Sequence, residues 1–222
     1  MHGLKKITED DKKICDSEIT IEELGKNLKQ LPNNKAPGCD GFTADFYKFF
    51  WKDIKYLLFS SLLHSYKIGK LSLEQRRAVL CLLPKGSKDI RYLKNWRPLS
   101  LLNTDYKLIA KTLASRLQRV LNEILSRDQS GYIKGRFIGE NIRTIIDVLQ
   151  YSSIHKTPGY VIFLDFEKAF DSISWNFLLK VLEAYNFGKA FIQWIRILYT
   201  DPLLCVTNNG HSSPFFHVYR GI

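Results

Sequence analysis

The run Tyr160-Val-Ile-Phe-Leu-Asp-Phe166 sets the class of this chain. It is nearly continuous in apolar, β-branched and aromatic side chains, the composition of a central strand covered on both faces. Thr157-Pro-Gly159 supplies the turn before it. Asp165 stands at its end. A carboxylate closing a buried apolar strand is costly unless a cation or hydrogen-bond donors compensate it, so two readings are open: a divalent-metal ligand, or a strand-end Asp that caps the following turn.

Downstream, Phe177, Leu178, Val181, Leu182 and Tyr185 recur at helical spacing, as do Phe191, Ile192, Ile195 and Tyr199, with Gly188 between the two sets. Asn208-Asn-Gly210 separates Leu203-Leu-Cys-Val-Thr207 from Pro214-Phe-Phe-His-Val-Tyr219, which predicts a closing hairpin. Upstream, Ile142, Ile145, Ile146 and Leu149 mark a helix behind the Gly-rich basic loop Gln129-Ser-Gly-Tyr-Ile-Lys-Gly-Arg136. Leu108, Ile109, Leu113, Leu117, Val120, Leu121 and Ile124 give the clearest amphipathic helix, from about 105 to 125. Val79–Leu83 and Arg97–Leu102 read as a second hairpin with a basic tip.

Nearer the start, Phe46, Phe49, Phe50, Ile54, Leu57, Leu58 and Leu62 predict one long, heavily buried helix after the turn-rich loop 32–41. Thr20-Ile-Glu-Glu23 is a capping box opening a short helix, and the polar residues before it are expected to be frayed. Strands and helices mixed in this order, without repeat or low-complexity tract, make the class α+β.

The 222 residues are 45% hydrophobic and 13% aromatic, enough for a proper core. A formal charge of +11 favours a polyanionic partner such as nucleic acid, although a basic surface of no specific use would look the same. Cys15, Cys39, Cys81 and Cys205 have no paired spacing and read as small hydrophobes of a reducing, intracellular chain. There is no apolar run of roughly 18 residues and no apolar segment behind the first residues, so neither membrane insertion nor secretion is expected.

The string Phe163-Leu-Asp-Phe-Glu-Lys-Ala-Phe-Asp171 resembles motif A of reverse transcriptases, in the variant of LINE-type non-LTR retrotransposons. Three further stretches resemble the same family in the same order: Asn33–Tyr47, Leu83–Asp89 with Asn95–Leu102, and Gln129–Arg136. The resemblance implies an incomplete right-hand polymerase fold, with an N-terminal extension over 1–66, a fingers-like region over 67–158 and a partial palm over 159–222. It implies RNA template, DNA primer and deoxynucleoside triphosphate (dNTP) as partners and Mg²⁺ as the ion, used in two-metal nucleotidyl transfer.

Residue by residue, the resemblance makes Asp165 the first metal-binding aspartate and the Phe166 backbone carbonyl a further ligand. Phe170 falls where the family places the side chain that excludes a ribose 2′-hydroxyl, against the plainer reading of a core Phe under the next helix. Lys85 and Arg97 occupy the triphosphate-contacting positions, and an Arg there suits a bidentate grip. Lys134 and Arg136 fall on a template-contacting surface, where Trp96, Tyr132 and Phe137 could stack on bases or anchor the fold. Glu167 is expected to face solvent, and Asp171 to sit in a turn or cap.

The family's second carboxylate cluster, a Tyr/Phe-x-Asp-Asp hairpin, does not occur in the sequence; Glu9-Asp10-Asp11 has no strand around it. Tyr219-Arg-Gly-Ile222 resembles the opening of the next family motif. One carboxylate and one carbonyl cannot hold two Mg²⁺ ions tightly, so the 222 residues are expected to be inactive alone. The alternative is a non-catalytic nucleic-acid-binding remnant.

Overall fold

The computed structural model describes residues 5–221. Among these residues eight α-helices and five strands appear in the order α1 (Glu9–Asp16), α2 (Ile21–Lys29), α3 (Ala44–Phe49), α4 (Trp51–Ile68), β1 (Arg77–Pro84), β2 (Trp96–Leu102), α5 (Thr104–Ile124), α6 (Gly139–His155), α7 (Trp175–Ala184), α8 (Lys189–Leu198), β3 (Leu203–Asn208), β4 (His211–Ser212) and β5 (Phe216–His217), with a short 3-10 helix at Leu93–Asn95 between β1 and β2. The molecule is α+β with one mixed sheet. None of these helices is long and apolar enough to cross a membrane.

The sheet runs β2-β1-β3-β4, with β5 also on β3. β1 and β2 form the expected antiparallel hairpin, from Ala78 opposite Leu102 to Pro84 opposite Trp96. β3 lies parallel to β1, pairing Arg77 with Leu203 and Cys81 with Thr207. The sheet therefore joins 77–84 to 203–208 across the 158/159 boundary expected between fingers and palm. Asp201 holds this junction: its carboxylate meets Lys70 Nζ and Arg76 Nη1, both at 2.6 Å, and His217 Nδ1 at 2.7 Å. These groups come from the end of α4, the approach to β1, and β5, so one carboxylate ties three separate segments together.

The core lies where α5 crosses α1, α2 and α8, around Cys15, Leu24, Leu28, Leu108, Ile109, Leu113, Phe191 and Ile197. Here the reading of a frayed N-terminus is corrected. Thr8 caps α1 by accepting from Asp11 N, three acids fill its first turn, and Ile7, Cys15 and Ile19 are buried. Only a few apolar residues mark this segment, too few for periodicity to reveal, but distant partners hold it. Arg116 on α5, 5% exposed, donates all five guanidinium N–H groups: to both carboxylate oxygens of Glu23 and to the carbonyls of Cys15, Ser17 and Glu18. The Thr20 hydroxyl does cap α2 through Glu23 N at 3.1 Å, while the Glu23 side chain serves Arg116.

Asp16 performs a similar service for α8. Its Oδ1 accepts from Phe191 N at 2.7 Å, in the first turn of a helix whose own cap residue is Gly188. A Cβ on Gly188 would lie 2.2–2.4 Å from the Asp16 carboxyl, so the glycine is required by the incoming cap. Loop 32–41 docks on the β2–α5 junction in the same manner. A Cβ on Gly38 would stand 2.0 Å from Asn103 Oδ1, and Thr104 Oγ1 donates to Phe42 O at 2.7 Å.

Two further expectations are corrected. The single helix over 46–62 is two, α3 and α4, parted at Phe50, and it is not heavily buried: Phe49, Leu57 and Leu63 are exposed. The central strand over 160–166 is also absent; these residues have no regular structure, and Tyr160, Leu164 and Phe166 are 100%, 86% and 81% exposed. Apolar composition makes a segment fit to be a central strand, but a strand exists only through hydrogen bonds to neighbours. Both edges of β1 are taken by β2 and β3, and β3 is flanked by β1, β4 and β5.

Candidate functional site

The basic hairpin tip is fastened before it could meet any ligand. Lys85 N donates to Asn95 O at 2.8 Å, closing the strand pair beyond Pro84 and Trp96. Asp89 organises the tip by a forked contact with Arg91 (Nε–Oδ1 3.0 Å, Nη2–Oδ2 2.7 Å), which holds the Asp89 carboxyl below the usual carboxylate range. Trp96 Nε1 donates to Ile90 O at 2.8 Å, so this indole anchors the loop and is committed to it. Lys85 is half-buried with its ammonium on Lys94 O at 2.8 Å. Arg97, opposite Leu83, is exposed, and among the described residues its guanidinium bonds to nothing. A free fork beside an ordered turn can grip a phosphate with little ordering cost.

The Gly-rich loop 129–137 is latched to the last turns of α5. Gln118 works in both directions, donating through Nε2 to Tyr132 O at 2.8 Å and accepting from Lys134 N at 3.1 Å. Asn122, one turn on, donates to Lys134 O at 3.3 Å. Arg136 turns back onto the helix end: Nε meets Asn122 Oδ1 at 3.1 Å, and the two amino groups reach the carbonyls of Asn122, Leu125, Ser126 and Gln129. All five of its N–H groups are thus occupied, two of them by the Asn122 and Leu125 carbonyls at the end of α5 and the rest by the Asn122 side chain and the loop that follows. Lys134 is exposed, and its ammonium bonds to no described residue.

Asp165 and Phe166 are open to solvent, followed by a turn over 167–172. Glu167 is exposed and Asp171 lies in the turn, as expected of both. Among the described residues Asp165 has no hydrogen bond, and no ion pair joins it to Lys85 or Arg97. Its carboxylate and the Phe166 carbonyl could give an Mg²⁺ ion two oxygens of the six or so it requires. No group of three His, Cys, Asp or Glu side chains comes together among the described residues. This donor set does not by itself fit a two-metal centre.

Phe170 is not under a helix. Its ring meets that of Tyr132 at 5.7 Å and 87°, edge to face, bringing the motif A turn against the basic loop. The turn's exit is fixed by Gly221 N donating to Ile173 O at 2.9 Å and by Trp175 Nε1 donating to Gly221 O. The fold thus joins Tyr132 with Phe170, and Lys85 with Arg97 at one hairpin end. Reading the sequence alone overlooked Gln118 and Asn122, the residues that set the loop. Their i, i+4 spacing on the polar side of a clear amphipathic helix was the available signal.

Residues 83–222 match the family model described as reverse transcriptase (RNA-dependent DNA polymerase). The chain is 41% identical over 220 residues to the transposon TX1 uncharacterized 149 kDa protein of Xenopus laevis, covering 99% of this chain and 17% of that protein. It is 28% identical over 207 residues to the retrovirus-related Pol polyprotein from type-2 retrotransposable element R2DM of Drosophila melanogaster, covering 93% of this chain and 19% of that protein. With the probable RNA-directed DNA polymerase from transposon BS, also of Drosophila melanogaster, it shares 24% identity over 200 residues, 83% of this chain and 22% of that protein. The chain thus spans about a fifth of these relatives' lengths. It belongs to the reverse transcriptase family, within the LINE-type branch of non-LTR retrotransposons.

Proposed function

We propose that this chain is the template- and nucleotide-binding front part of an RNA-directed DNA polymerase, engaging RNA template, DNA primer and dNTP, and that it adds no nucleotides by itself. The carrying observation is the family match over 83–222, which includes both the basic hairpin tip with β2 and the motif A segment. On this reading 1–66 is the N-terminal extension, 67–158 the fingers and 159–222 part of the palm of a right-hand fold. Arg97 grips the triphosphate, with Lys85 lending charge from the same hairpin end. Lys134 meets template phosphate. Asp165 and the Phe166 carbonyl contribute to an Mg²⁺ site that needs further carboxylates, and Phe170 bounds the nucleotide's sugar.

The test is a paired assay on the 222-residue chain with an RNA template and annealed DNA primer. Fluorescence anisotropy should show binding that weakens steeply with salt, the mark of phosphate neutralisation. Primer extension with Mg²⁺ and dNTPs should show none. Extension that disappears on Asp165→Ala would overturn the expected inactivity. Absence of binding at low salt would overturn the template role.

A further inference from the structure

Tyr132 has a conformation that core packing does not explain. Its φ is +61°, a region bulky side chains rarely occupy, and the residue is 84% exposed. Nothing about the ring itself repays the strain, since no burial accompanies it. The backbone on either side is nonetheless held firmly, by Gln118 at Tyr132 O and Lys134 N and by Arg136 on the end of α5. The loop is built to keep this aromatic side chain standing in solvent.

The ring is also oriented. Phe170 meets it at 87° with centroids 5.7 Å apart. In such an edge-to-face pair one ring keeps both faces free and the other keeps one, so Tyr132 presents an open face in either arrangement. Cations stand near in sequence on both sides of the pair: Lys134 two residues after Tyr132, and Lys168 two before Phe170, both exposed. An oriented aromatic face on segments that also carry exposed lysines suits a flat, uncharged ring joined to a phosphate backbone.

We propose that Tyr132, buttressed by Phe170, is a stacking site for an unpaired base of a single-stranded nucleic acid. The assignment rests on the nucleic-acid role proposed above and adds the residue that contacts a base. Because every base offers a π-face, the contact is indifferent to sequence. It separates two jobs on one loop, with Lys134 attracting the backbone and Tyr132 receiving the base.

The experiment compares binding of the 222-residue chain to a labelled oligothymidylate of about 15 nucleotides with binding to an abasic strand of equal length and charge. Tyr132→Ala should weaken oligothymidylate binding by about 5- to 150-fold, the range for losing one base–aromatic stack. Binding to the abasic strand should change by less than about twofold, and Tyr132→Phe should bind both strands as the unsubstituted chain does. The exposure of Tyr132 leaves the core untouched, which a urea unfolding curve of each variant checks. An unchanged affinity of Tyr132→Ala for oligothymidylate, or an equal loss on the abasic strand, overturns the stacking site and leaves the nucleic-acid role standing. Failure of the unsubstituted chain to bind oligothymidylate at low salt overturns both.

Discussion

Arg136→Gln separates two jobs that a basic loop residue can do. In the structure its guanidinium sends five hydrogen bonds to the end of α5 and the loop after it, four to carbonyls and one to the Asn122 side chain. A charged hydrogen bond contributes ~1.5–3 kcal/mol when desolvated, and a cation at a helix C-terminus ~0.3–1 kcal/mol. The site is half-exposed, so carbonyls released by the substitution can take water and most of the gross value is recovered. We therefore expect a net loss near 2 kcal/mol. With a urea m-value of about 2 kcal/mol/M, the unfolding midpoint should fall by about 1 M at unchanged slope. Oligonucleotide binding should keep its salt dependence, since Arg136 has no donor left for phosphate. An unchanged midpoint with a salt slope reduced by ~0.7–0.9 would refute this reasoning and return Arg136 to the template surface.

Two further expectations concern the scaffold. Arg116→Ala leaves a carboxylate and three carbonyls without their shared cation, a loss of about 3–5 kcal/mol by urea unfolding, and Arg116→Lys should recover only part because an ammonium cannot reach all five acceptors. The Asp201 carboxyl is held below its ordinary value, first by the hydrogen bond from Lys70 and further by Arg76 and His217. A depressed acid stabilises the fold above its unfolded pKa and loses that contribution as pH falls through the folded value, so melting temperature should drop below about pH 4. Asp201→Asn should flatten that limb of the profile, and an identical acid limb in the variant would remove Asp201 from the account.

Much was legible in the sequence because it depends on neighbours in the chain. The β1–β2 hairpin, the stripe of α5, the Thr20 cap, the helices on either side of Gly188 and the turn at Asn208–Gly210 follow from side-chain periodicity and turn chemistry within a few residues. The strings Phe163–Asp171 and Gln129–Arg136 likewise identified the family, since a motif is a local pattern.

What the tertiary structure alone decided is which distant groups meet. Arg136 and Arg116 look in the sequence like any basic residues, yet each is consumed by acceptors brought near by folding. Asp16 becomes the cap of a helix beginning 173 residues later, counted from Asp16 to Lys189. β3 pairs with β1, and residues 160–166, the most strand-like string in the chain, remain unpaired. The reason is physical: composition states what a segment would do with a partner, but hydrogen bonds and counter-charges have short reach, and only the folded chain determines which partner lies within it.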